Sequence, residues 1–397
     1  MKILLSSDSY KHQINGIANA TILLTNELRR KGHEVKVLSL SERMESYKDG
    51  DDYYLSSVSS LVYPDLRISL KVNDGLIREL IEWRPDIVHI QTEFSARLLA
   101  LAVVKETGSP VVMTYNTDYE QFVAPYFFSK RLLKKMSSQF FRKMYKHTGN
   151  LIAPSEKAKE ILENYGLHQA IAVIPNGIVL PQTRINSQKK NRLLKKLGLK
   201  SNGRLLVTVS RISQEKNIDE LIDYMPELVR LDSSIHLLIV GGGPHLKKLQ
   251  KKVSKLHLKE YVVFSGAVNR SIVDEYYQLG DVFVCASTFE TQGLTYIEAM
   301  SNGLPLICRR DKCLLGVVDE GRNGFLYSTR EEYCRQVIGV LHNRKLRRAM
   351  GQYSLQKAPS FSKQSFVDNI EKLYAQIIQQ QKQKKKTDDF FSQTLDK

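Results

Sequence analysis

Short apolar runs alternate with longer amphipathic stretches along the chain, and this alternation predicts strands separated by helices. In the first half the predicted strands are Lys2–Ser6, Glu34–Leu40, Asp86–Gln91, Val111–Tyr115, Leu151–Pro154 and Ala172–Pro175. Apolar positions at helical spacing lie between several of them, including Ile17–Lys31 and Phe94–Glu106. Short apolar strands that alternate with helices are typical of parallel sheets covered on both faces.

A second series of the same kind begins after a polar, lysine-rich stretch. Its predicted strands are Arg204–Ser210, His236–Val240, Val262–Ser265, Val282–Ala286 and Pro305–Arg309. Two series predict an α/β fold with two doubly wound, Rossmann-like domains. The predicted organisation is a first domain over residues 1–175, a linker over 176–202, a second domain over 203–358, a C-terminal helix over 359–380 that returns toward the first domain, and a basic, disordered tail over 381–397.

The chain of 397 residues carries a formal net charge of +17, which favours an anionic partner such as nucleic acid, anionic lipid or a phosphorylated ligand. No stacking module or zinc finger accompanies this charge, so nucleic acid is not expected. The four cysteines form no C-x-x-C pair, which argues against a zinc or redox site. The apolar run at the N-terminus is too short for a signal peptide, and no stretch approaches the ~18 apolar residues of a spanning helix. We therefore expect a soluble or peripheral protein.

The most informative segment is STFETQGLTYIEAM at residues 287–300, which follows a predicted strand. Gly293 stands where a helix should begin, and the free backbone N–H groups of a helix N-terminus suit a phosphate. Glu290 and Glu298 flank that point, and their carboxylates can accept hydrogen bonds from sugar and ribose hydroxyls. The segment could therefore hold both ends of a nucleotide-sugar. The alternative is an ordinary strand–loop–helix with solvated glutamates.

Two further loops of the second domain carry groups that suit a diphosphate. Arg211 and Lys216 follow the first strand of that domain, and two cations at a strand end can neutralise a diphosphate. Gly242 and Gly243 follow the next strand and permit close approach of the backbone to a ligand. Surface charges at a helix start and a plain tight turn are the respective alternatives.

In the first domain, the loop after the first strand contains Gly16 immediately before a predicted helix. It lacks the full glycine fingerprint of a dinucleotide site, so a nicotinamide cofactor is not supported. Asn116 lies in the polar cluster Tyr115–Tyr119 after another strand, which is a plausible acceptor site. Ordinary strand-to-helix turns and solvated loops are the alternatives for both positions. In open α/β sheets such strand ends are where ligands bind, and a cleft between two facing sheets is the expected place.

The segment at residues 126–147, YFFSKRLLKKMSSQFFRKMYKH, combines an apolar stripe at helical spacing with seven cations and no acidic residue. A basic amphipathic helix of this kind suits an anionic membrane surface. A helix whose stripe packs in a domain core is the alternative. The predicted membrane-binding side chains are Phe127, Phe128, Lys130, Arg131, Lys134, Lys135, Phe140, Phe141, Arg142 and Lys143.

These motifs together resemble those of a known family. ETQGLTYIEAM, SRISQEKNID, the Gly-Gly-Pro turn and IPNGI are similar to motifs of the retaining glycosyltransferases of family four, which have the GT-B fold of two facing doubly wound domains with a cleft between them. The resemblance runs to about Gln380. Within the family, TEFS, TYNTDYEQF and DKCLLGVVDEGRNGF resemble the bacterial diacylglycerol glucosyltransferases, which make monoglucosyldiacylglycerol at the cytoplasmic face of the membrane.

The resemblance implies a role for each matching residue. Arg211 and Lys216 hold the donor diphosphate, Glu290 contacts the sugar, Glu298 contacts the ribose of UDP, Gly293 and Leu294 present backbone N–H groups to phosphate, Gly242 and Gly243 complete the donor-binding set, and Gly16 lines the donor pocket from the opposite domain. The family's fold needs no metal for catalysis, so neither a metal nor a cofactor is expected.

One position departs from the family pattern. The lipid-glucosylating relatives usually carry a histidine in a TYHT motif, where it contacts the transferred sugar, and this chain has Asn116. Asparagine can donate and accept hydrogen bonds, but it cannot take a proton near neutral pH. If the leaving phosphate accepts the proton of the acceptor hydroxyl, Asn116 can still orient the sugar. Otherwise the chain is slow, differently specific or catalytically silent.

The sequence therefore predicts a retaining hexosyltransferase that moves glucose from UDP-glucose to a lipid such as diacylglycerol, with Asn116, Glu290, Arg211 and Lys216 at the catalytic centre. We expect a cytoplasmic protein, peripheral on the inner face of the cell membrane. The alternatives are a polysaccharide, a protein or an already glucosylated lipid as acceptor, or a non-catalytic glycosyltransferase-like partner subunit. GDP or ADP donors, galactose as the sugar, and the oligomeric state are left open.

Overall fold

The structure is a computed structural model that describes residues 1–13, 16–59, 67–117, 130–145 and 148–395. The chain divides into two compact units. Unit 1 comprises Met1–Gly177 and Lys363–Lys397, and unit 2 comprises Ile178–Ser362. The chain thus crosses from unit 1 to unit 2 once and returns at the start of its last helix.

The strands and helices follow the alternation expected from the sequence. The strands are β1 (Lys2–Ser6), β2 (Glu34–Leu40), β3 (Tyr47–Asp49), β4 (Asp52–Leu55), β5 (Val58–Ser59), β6 (Arg67–Ile68), β7 (Ile87–Ile90), β8 (Val111–Thr114), β9 (Asn150–Ala153), β10 (Ile171–Val173), β11 (Arg204–Val209), β12 (Ile235–Val240), β13 (Val262–Gly266), β14 (Val282–Cys285), β15 (Leu306–Arg309) and β16 (Gly324–Tyr327). The helices of the described residues are α1 (Gly16–Arg30), α2 (Gly75–Trp83), α3 (Ser95–Thr107), α4 (Lys130–Tyr145), α5 (Glu156–Asn164), α6 (Ser187–Lys196), α7 (Ile218–Leu231), α8 (Leu246–Lys255), α9 (Val273–Tyr277), α10 (Leu294–Ser301), α11 (Arg330–His342), α12 (Arg344–Lys357) and α13 (Lys363–Leu395).

Unit 1 is built on an eight-stranded sheet in the order β10-β9-β8-β7-β1-β2-β4-β3. Its strand pairs are parallel except for β3 with β4, and a separate antiparallel pair joins β5 to β6. Neighbouring residues of a strand point to opposite faces, so Leu4 packs in one buried cluster and Ile3 and Leu5 pack in the other. Both faces are therefore covered, as the continuous apolar runs predict.

Unit 2 is built on a six-stranded sheet in the order β13-β12-β11-β14-β15-β16, and its strand pairs are parallel. Leu206 and Val207 on the central strand β11 face opposite buried clusters, so this sheet too is covered on both sides. The predicted α/β class with two doubly wound sheets is confirmed. Strands β3 to β6 and β16 were not predicted, because they are short or end in turns without a clear apolar alternation.

The last helix belongs to unit 1. Lys31 of α1 forms ion pairs with Asp368, at 2.6 Å, and with Glu371 of α13. Tyr374 of α13 is fully buried, and its hydroxyl lies 2.6 Å from Nδ1 of His89 on β7. Through these contacts α13 packs on the sheet of unit 1.

Three boundaries differ from the prediction. Residues 178–202 are part of unit 2 rather than a free linker, because α6 packs its buried Leu194 into the core of that unit. Helix α13 continues to Leu395 where a disordered tail was expected, since the glutamines and lysines there favour helix and no glycine or proline interrupts them. Helix α4 is described from Lys130 to Tyr145, so Phe127 and Phe128 lie outside the described residues.

Candidate active site

The carboxyl edge of the unit 2 sheet has a topological switch point between β11 and β14. The chain winds outward from β11 through β12 to β13 on one side, and from β14 through β15 to β16 on the other. Loops that follow the two strands at such a point diverge and leave a crevice, where open α/β sheets bind ligands. The predicted residues Arg211 and Lys216 follow β11, and Glu290 and Gly293 follow β14.

Lys216 and Glu290 meet across this switch point. The Lys216 ammonium Nζ lies 2.6 Å from Glu290 Oε1, and both side chains are largely buried. Burial alone would lower the pKa of Lys216, but the charge of Glu290 and the hydrogen bond to it outweigh burial, so this pKa lies above its usual value. Lys216 is thus a cation that is paired with Glu290 in this structure.

The orientation of Lys216 follows from the residue after it. Asn217 adopts a left-handed backbone conformation (φ 51°), which ends the turn Gln214–Lys216 and begins α7. Its side-chain amide donates to the carbonyl of Ala286 after β14, at 3.3 Å, and to Glu220, at 2.9 Å. These bonds tie the β11 loop to the end of β14 and hold Lys216 beside Glu290. The sequence reasoning missed Asn217, although an asparagine directly after a short helical turn is a known left-handed cap.

Gly293 stands directly before α10 with a positive φ of 75°. A Cβ at this position would lie 2.2 Å from the ring of Tyr296, so only glycine fits without a shift. No side chain caps α10 among the described residues. The Tyr296 N–H in the first turn donates to the carbonyl of Gly293 at 3.2 Å, whereas the Leu294 N–H precedes it at the positive end of the helix, where backbone N–H groups can bind an anion.

Glu298 lies one turn further along α10 and is 9% exposed. Tyr277 donates its hydroxyl proton to Glu298 Oε2 at 2.9 Å, and Arg270 approaches Oε1 at 3.2 Å. Burial raises the pKa of the Glu298 carboxyl, against the opposing effects of Arg270 and Tyr277. Two partners from another helix and turn therefore fix this carboxylate, and neither partner was found from the sequence because their contact with Glu298 is purely tertiary.

The glycines of the turn after β12 are packed closely against neighbouring residues and do not face open space. A Cβ on Gly243 would lie 2.3 Å from the carbonyl oxygen of Ile212, and one on Gly242 would lie 3.2 Å from the side chain of Ala267. The Ile212 N–H donates to the Gly242 carbonyl at 2.9 Å. Gly242 and Gly243 thus support the loop that carries Arg211.

Arg211 itself is exposed, and its guanidinium makes no hydrogen bond or ion pair with the residues that the structure describes. Its guanidinium retains its five N–H donors, which suit bidentate recognition of phosphate. Arg211, Lys216, Glu290, Gly293 and Glu298 are therefore all carried by the loops and helix that surround one switch point of one unit.

Unit 1 has a switch point of its own between β1 and β7. Asp8 after β1 accepts hydrogen bonds from the backbone N–H groups of Ala96 and Phe94 at the start of α3, and burial raises its pKa. Asn116 follows β8 and donates to the carbonyl of Gln91, after β7, at 3.0 Å. The structure places Gly16 at the first position of α1, with nothing within 4 Å of an added Cβ. Gly16 and Asn116 thus belong to unit 1, and the other residues predicted for catalysis and donor binding belong to unit 2.

The basic helix α4, which the sequence predicts to bind a membrane, presents some of its predicted membrane-binding residues to solvent and buries another. Phe140 is 57% exposed, and Arg142 and Lys143 are exposed beside it. The prediction that Phe141 binds the membrane is wrong. Its side chain is 6% exposed and stacks on Tyr165 with ring centroids 5.3 Å apart, so it packs in the core of unit 1. Phe140 and Phe141 are adjacent on the helix, and the side of α4 that carries Phe141 is the side that unit 1 buries.

Within the described ranges, no group of three or more histidine, cysteine, aspartate or glutamate side chains is arranged to hold a metal ion. The same ranges include no helix that is long and apolar enough to cross a bilayer.

Comparison with known proteins identifies the class. The model of "Glycosyltransferase Family 4" matches residues 14–181, and the model of "Glycosyl transferases group 1" matches residues 189–357. Among solved structures, that of Anabaena Alr3699/HepE in complex with UDP has a TM-score of 0.75 at 18% identity over 95% of this chain and all of that one. Sucrose-phosphate synthase from Thermosynechococcus elongatus has a TM-score of 0.71 at 17% identity over 94% of this chain and 98% of the other. The fold is that of the GT-B glycosyltransferases.

Sequence relatives are more specific. The chain is 30% identical to the alpha-monoglucosyldiacylglycerol synthase of Streptococcus pneumoniae over 86% of its length and 78% of the relative. It is 28% identical to the synthase of the same name from Acholeplasma laidlawii, over 97% and 99% of the two chains. It is also 27% identical to the sulfoquinovosyl transferase SQD2 of Arabidopsis thaliana, over 88% and 68%. The chain belongs to glycosyltransferase family four, as its motifs predict.

Proposed function

We propose that this protein transfers glucose from UDP-glucose to diacylglycerol in a membrane, with retention of configuration at the anomeric carbon. The single observation that carries the donor half is the Lys216–Glu290 ion pair at the switch point, with Gly293 directly before the adjoining helix α10 and Glu298 on it. The lipid acceptor is supported by the names of the two bacterial relatives, which are alpha-monoglucosyldiacylglycerol synthases.

In this proposal, Arg211 and Lys216 bind the diphosphate of the donor. The ion pair opens when the diphosphate arrives, because Lys216 exchanges one anionic partner for a stronger one. Glu290 is then free to accept a hydrogen bond from a sugar hydroxyl, and Glu298 accepts one from the ribose. The N–H groups of Gly293 and Leu294 bind phosphate oxygens at the positive end of α10.

The reaction needs one bond to form and one to break. The oxygen of the lipid hydroxyl bonds to the anomeric carbon of glucose, and the bond from that carbon to the diphosphate oxygen breaks. The hydroxyl proton goes to the leaving phosphate on the same face of the sugar, so no side chain has to take it. The cations and the backbone amides stabilise the charge that builds on the leaving group, which is commonly the largest catalytic contribution.

Asn116 takes part in this proposal as an orienting group for the sugar. Its side-chain amide already donates to the Gln91 carbonyl, so its oxygen is turned toward other donors, one of which is Asn176 at 3.4 Å. Because asparagine does not exchange protons near neutral pH, the proton path through the leaving phosphate is the one compatible with this residue.

We propose that the acceptor is reached from the cytoplasmic face of the membrane, with α4 at the lipid surface. Exposed Phe140, Arg142 and Lys143 supply an apolar side chain and two cations on this helix, and anionic lipid headgroups attract such cations. No metal or cofactor is assigned to the reaction.

A direct assay tests the proposal. The purified chain is incubated with radiolabelled UDP-glucose and vesicles of phosphatidylglycerol that contain diacylglycerol, and the lipid extract is examined for a glucosylated product with an α linkage. UDP-galactose, GDP-mannose and UDP-sulfoquinovose replace the donor in parallel, since mannosyl and sulfoquinovosyl transferases are also relatives. No transfer from any donor by a folded protein would contradict the proposal.

A non-catalytic role is the second candidate, and Asn116 in place of the usual histidine is the observation that favours it. The same assay separates the two candidates. A protein that binds UDP-glucose but neither transfers nor hydrolyses it, with or without lipid, is a binding subunit. Transfer by the unaltered protein without any partner excludes that role.

A further inference from the structure

Unit 2 has a pocket at the edge of its sheet opposite to the proposed donor site. The pocket has a volume of about 570 Å³ and is lined by Asp281 and Pro305, which directly precede β14 and β15. The donor-site residues Lys216 and Glu290 follow strands β11 and β14 at the other edge. The pocket also lies at the C-terminal end of α10, through Asn302 and Gly303, whereas Gly293 lies before its N-terminal end. It is therefore a different place from the donor site.

The charge of this pocket is strongly positive. Four cationic side chains line it, and a single carboxylate, that of Asp281, opposes them. Asp281 is already engaged, because it accepts the backbone N–H of Leu205 at 3.0 Å and lies 3.5 Å from Arg347 Nε. The cationic side chains are Arg184, Lys190, Arg347 and Arg348. An anion would therefore meet an excess of three positive charges.

Two of the arginines are held in place by helix C-termini. Arg184 Nη1 donates to the carbonyl of Asn302 at 2.6 Å, and Arg347 Nη1 donates to the carbonyl of Leu341 at 2.5 Å. Leu341 lies in the last turn of α11 and Asn302 directly follows α10, and the final carbonyls of a helix have no partner within their own helix. The Arg184 guanidinium is thus fixed by one bond, and the Arg347 guanidinium by its bond to Leu341 and by its ion pair with Asp281. Each keeps further N–H donors for a ligand, so less side-chain entropy is lost on binding.

The backbone makes room for this arrangement. Gly303 has a positive φ of 79°, and a Cβ there would lie 3.2 Å from Nη2 of Arg184 and 3.3 Å from Leu355. The Arg348 side chain is exposed and makes no hydrogen bond or ion pair within the part of the chain that is described, so its guanidinium is available to a ligand. Apolar side chains, Ile185 and the 38% exposed Leu355 among them, line the pocket beside these cations.

We propose that this basic pocket is a second anion-binding site, which takes a small organic phosphate with a body of a few carbon atoms. The arginines supply the planar, multidentate donors that phosphate oxygens favour, and Lys190 adds a point charge. The volume is in the range of small-molecule sites, and the apolar wall accommodates a carbon skeleton beside the phosphate. The same chemistry occurs in a soluble phosphate ester and in the headgroup of a phospholipid. The site does not depend on which sugar the enzyme transfers.

The experiment uses the full chain with saturating UDP, which occupies the donor site and removes its phosphate affinity from the measurement. Binding of sn-glycerol 3-phosphate, of inorganic phosphate and of glycerol is measured by calorimetry. We expect glycerol 3-phosphate to bind more tightly than phosphate, and glycerol to give no signal. Vesicles with and without phosphatidylglycerol form a separate arm, which shows whether a lipid headgroup occupies the pocket instead.

A matched pair of variants locates the binding. Lys190→Ala with Arg348→Ala removes two cations from the pocket, and Lys248→Ala with Lys251→Ala removes two exposed lysines from α8. We expect the first pair to weaken glycerol 3-phosphate binding, or vesicle binding, by about tenfold or more, since tenfold corresponds to one good charge-assisted contact. The second pair should change it less than about twofold. Equal losses in both pairs, or no binding of any phosphate probe to the unaltered protein, would overturn the proposal.

Discussion

Lys216 and Glu290 form an ion pair of 2.6 Å although 73 residues separate them in the chain, and they approach from the loops of two adjacent strands, β11 and β14. Without a ligand the pair neutralises itself inside a largely buried site. In the proposed function, a diphosphate that enters takes over Lys216, and the same event releases the Glu290 carboxylate. One contact would then link recognition of the phosphates to recognition of the sugar.

The first prediction concerns the charge of Lys216. Lys216→Gln keeps a hydrogen-bond donor near Glu290 but removes the cation that faces the leaving diphosphate. We expect kcat/KM for UDP-glucose to fall by about 10² to 10³, the usual effect of removing one preorganised group that stabilises developing charge. The measurement is transfer of labelled glucose to diacylglycerol vesicles under initial-rate conditions.

Lys248→Gln is the matched control for this prediction, because Lys248 is exposed on α8 and has no part in the site. Its kcat/KM should stay within about twofold of the unaltered protein. Glu290→Gln completes the comparison, and the double variant gives the coupling of the pair. A Lys216→Gln protein of normal stability that retains full kcat/KM would remove Lys216 from the donor site.

The second prediction separates two destabilising effects of a substitution at Gly293, a steric clash and an unfavourable backbone φ. Gly293→Ala places a Cβ 2.2 Å from the ring of Tyr296 and also forces alanine to a φ of 75°. Gly316→Ala meets only the second cost, since its φ is 77° and nothing lies within 4 Å of an added Cβ. We expect Gly316→Ala to lower the free energy of unfolding by about 1 kcal/mol. Gly293→Ala should lower it by more and should also weaken UDP binding.

Thermal unfolding and UDP titration of both variants check this prediction. If the two variants lose equal stability and bind UDP equally well, then Tyr296 yields to the methyl group, and the close packing before α10 has no part in donor binding.

The site residues that directly follow strands could be predicted from the sequence, whereas the side chains that contact them could not. Arg211, Lys216 and Glu290 are close in sequence to apolar runs that must be buried strands, so their place at one sheet edge followed from the sequence and from the rule that ligands bind there. The partners of Glu298, Tyr277 and Arg270, are not signalled by any local pattern. Their contact with Glu298 depends on how α9 and the turn before it pack against α10.

The aromatic pair on α4 shows a second limit of periodicity. Phe140 and Phe141 are adjacent, and a helical stripe indicates that one face of α4 is apolar without showing which surface covers it. Phe141 is buried because Tyr165, just after α5, stacks on its ring, whereas Phe140 contacts the edge of Phe141 with ring centroids 5.4 Å apart and stays 57% exposed. The basic character of the helix predicted that both residues contact lipid. Because Phe141 is packed in the core, that prediction stands only for Phe140.

The third prediction assigns the ribose contact to Glu298. If its carboxylate accepts a hydrogen bond from a ribose hydroxyl, a donor that lacks this hydroxyl loses one hydrogen bond to a buried carboxylate. We expect the unaltered protein to use UDP-glucose at least about tenfold more efficiently than its 2′-deoxy or 3′-deoxy analogue. In Glu298→Gln most of this preference should disappear, because UDP-glucose itself becomes a poor substrate.

Tyr277→Phe is the companion variant, since it removes the 2.9 Å bond that orients Glu298 and leaves the carboxylate in place. It should raise KM for UDP-glucose while it keeps part of the preference for an intact ribose. An unaltered preference in Glu298→Gln would place the ribose elsewhere.

The last prediction concerns the pH dependence of stability in unit 1. His89 is 1% exposed, and desolvation lowers the pKa of its imidazole from 6.5 to about 3. Its ring nitrogens lie 2.6 Å from the Tyr374 hydroxyl and 2.7 Å from that of Thr114, so it joins α13 to β7 and β8 as a neutral ring. Between pH 6.5 and 3 the unfolded chain binds a proton here that the folded chain does not. The contribution of His89 is therefore fully present above pH 6.5 and is lost progressively as the pH falls.

At pH 5 the loss amounts to about 2 kcal/mol, from 1.36 kcal/mol for each of the roughly 1.5 pH units below the unfolded pKa. Trp83 of α2 is the single tryptophan of the chain, so urea unfolding followed by its fluorescence reports on unit 1 alone. His89→Gln removes the proton uptake, and we expect the free energy of unfolding to change less between pH 7 and 5 than in the unaltered protein. His168→Gln, at an exposed position, should leave the pH dependence as it is. If the free energy of unfolding has the same pH dependence in all three proteins, His89 is either already neutral in the unfolded chain or charged in the folded one. Either case contradicts the desolvated ring between α13 and the sheet.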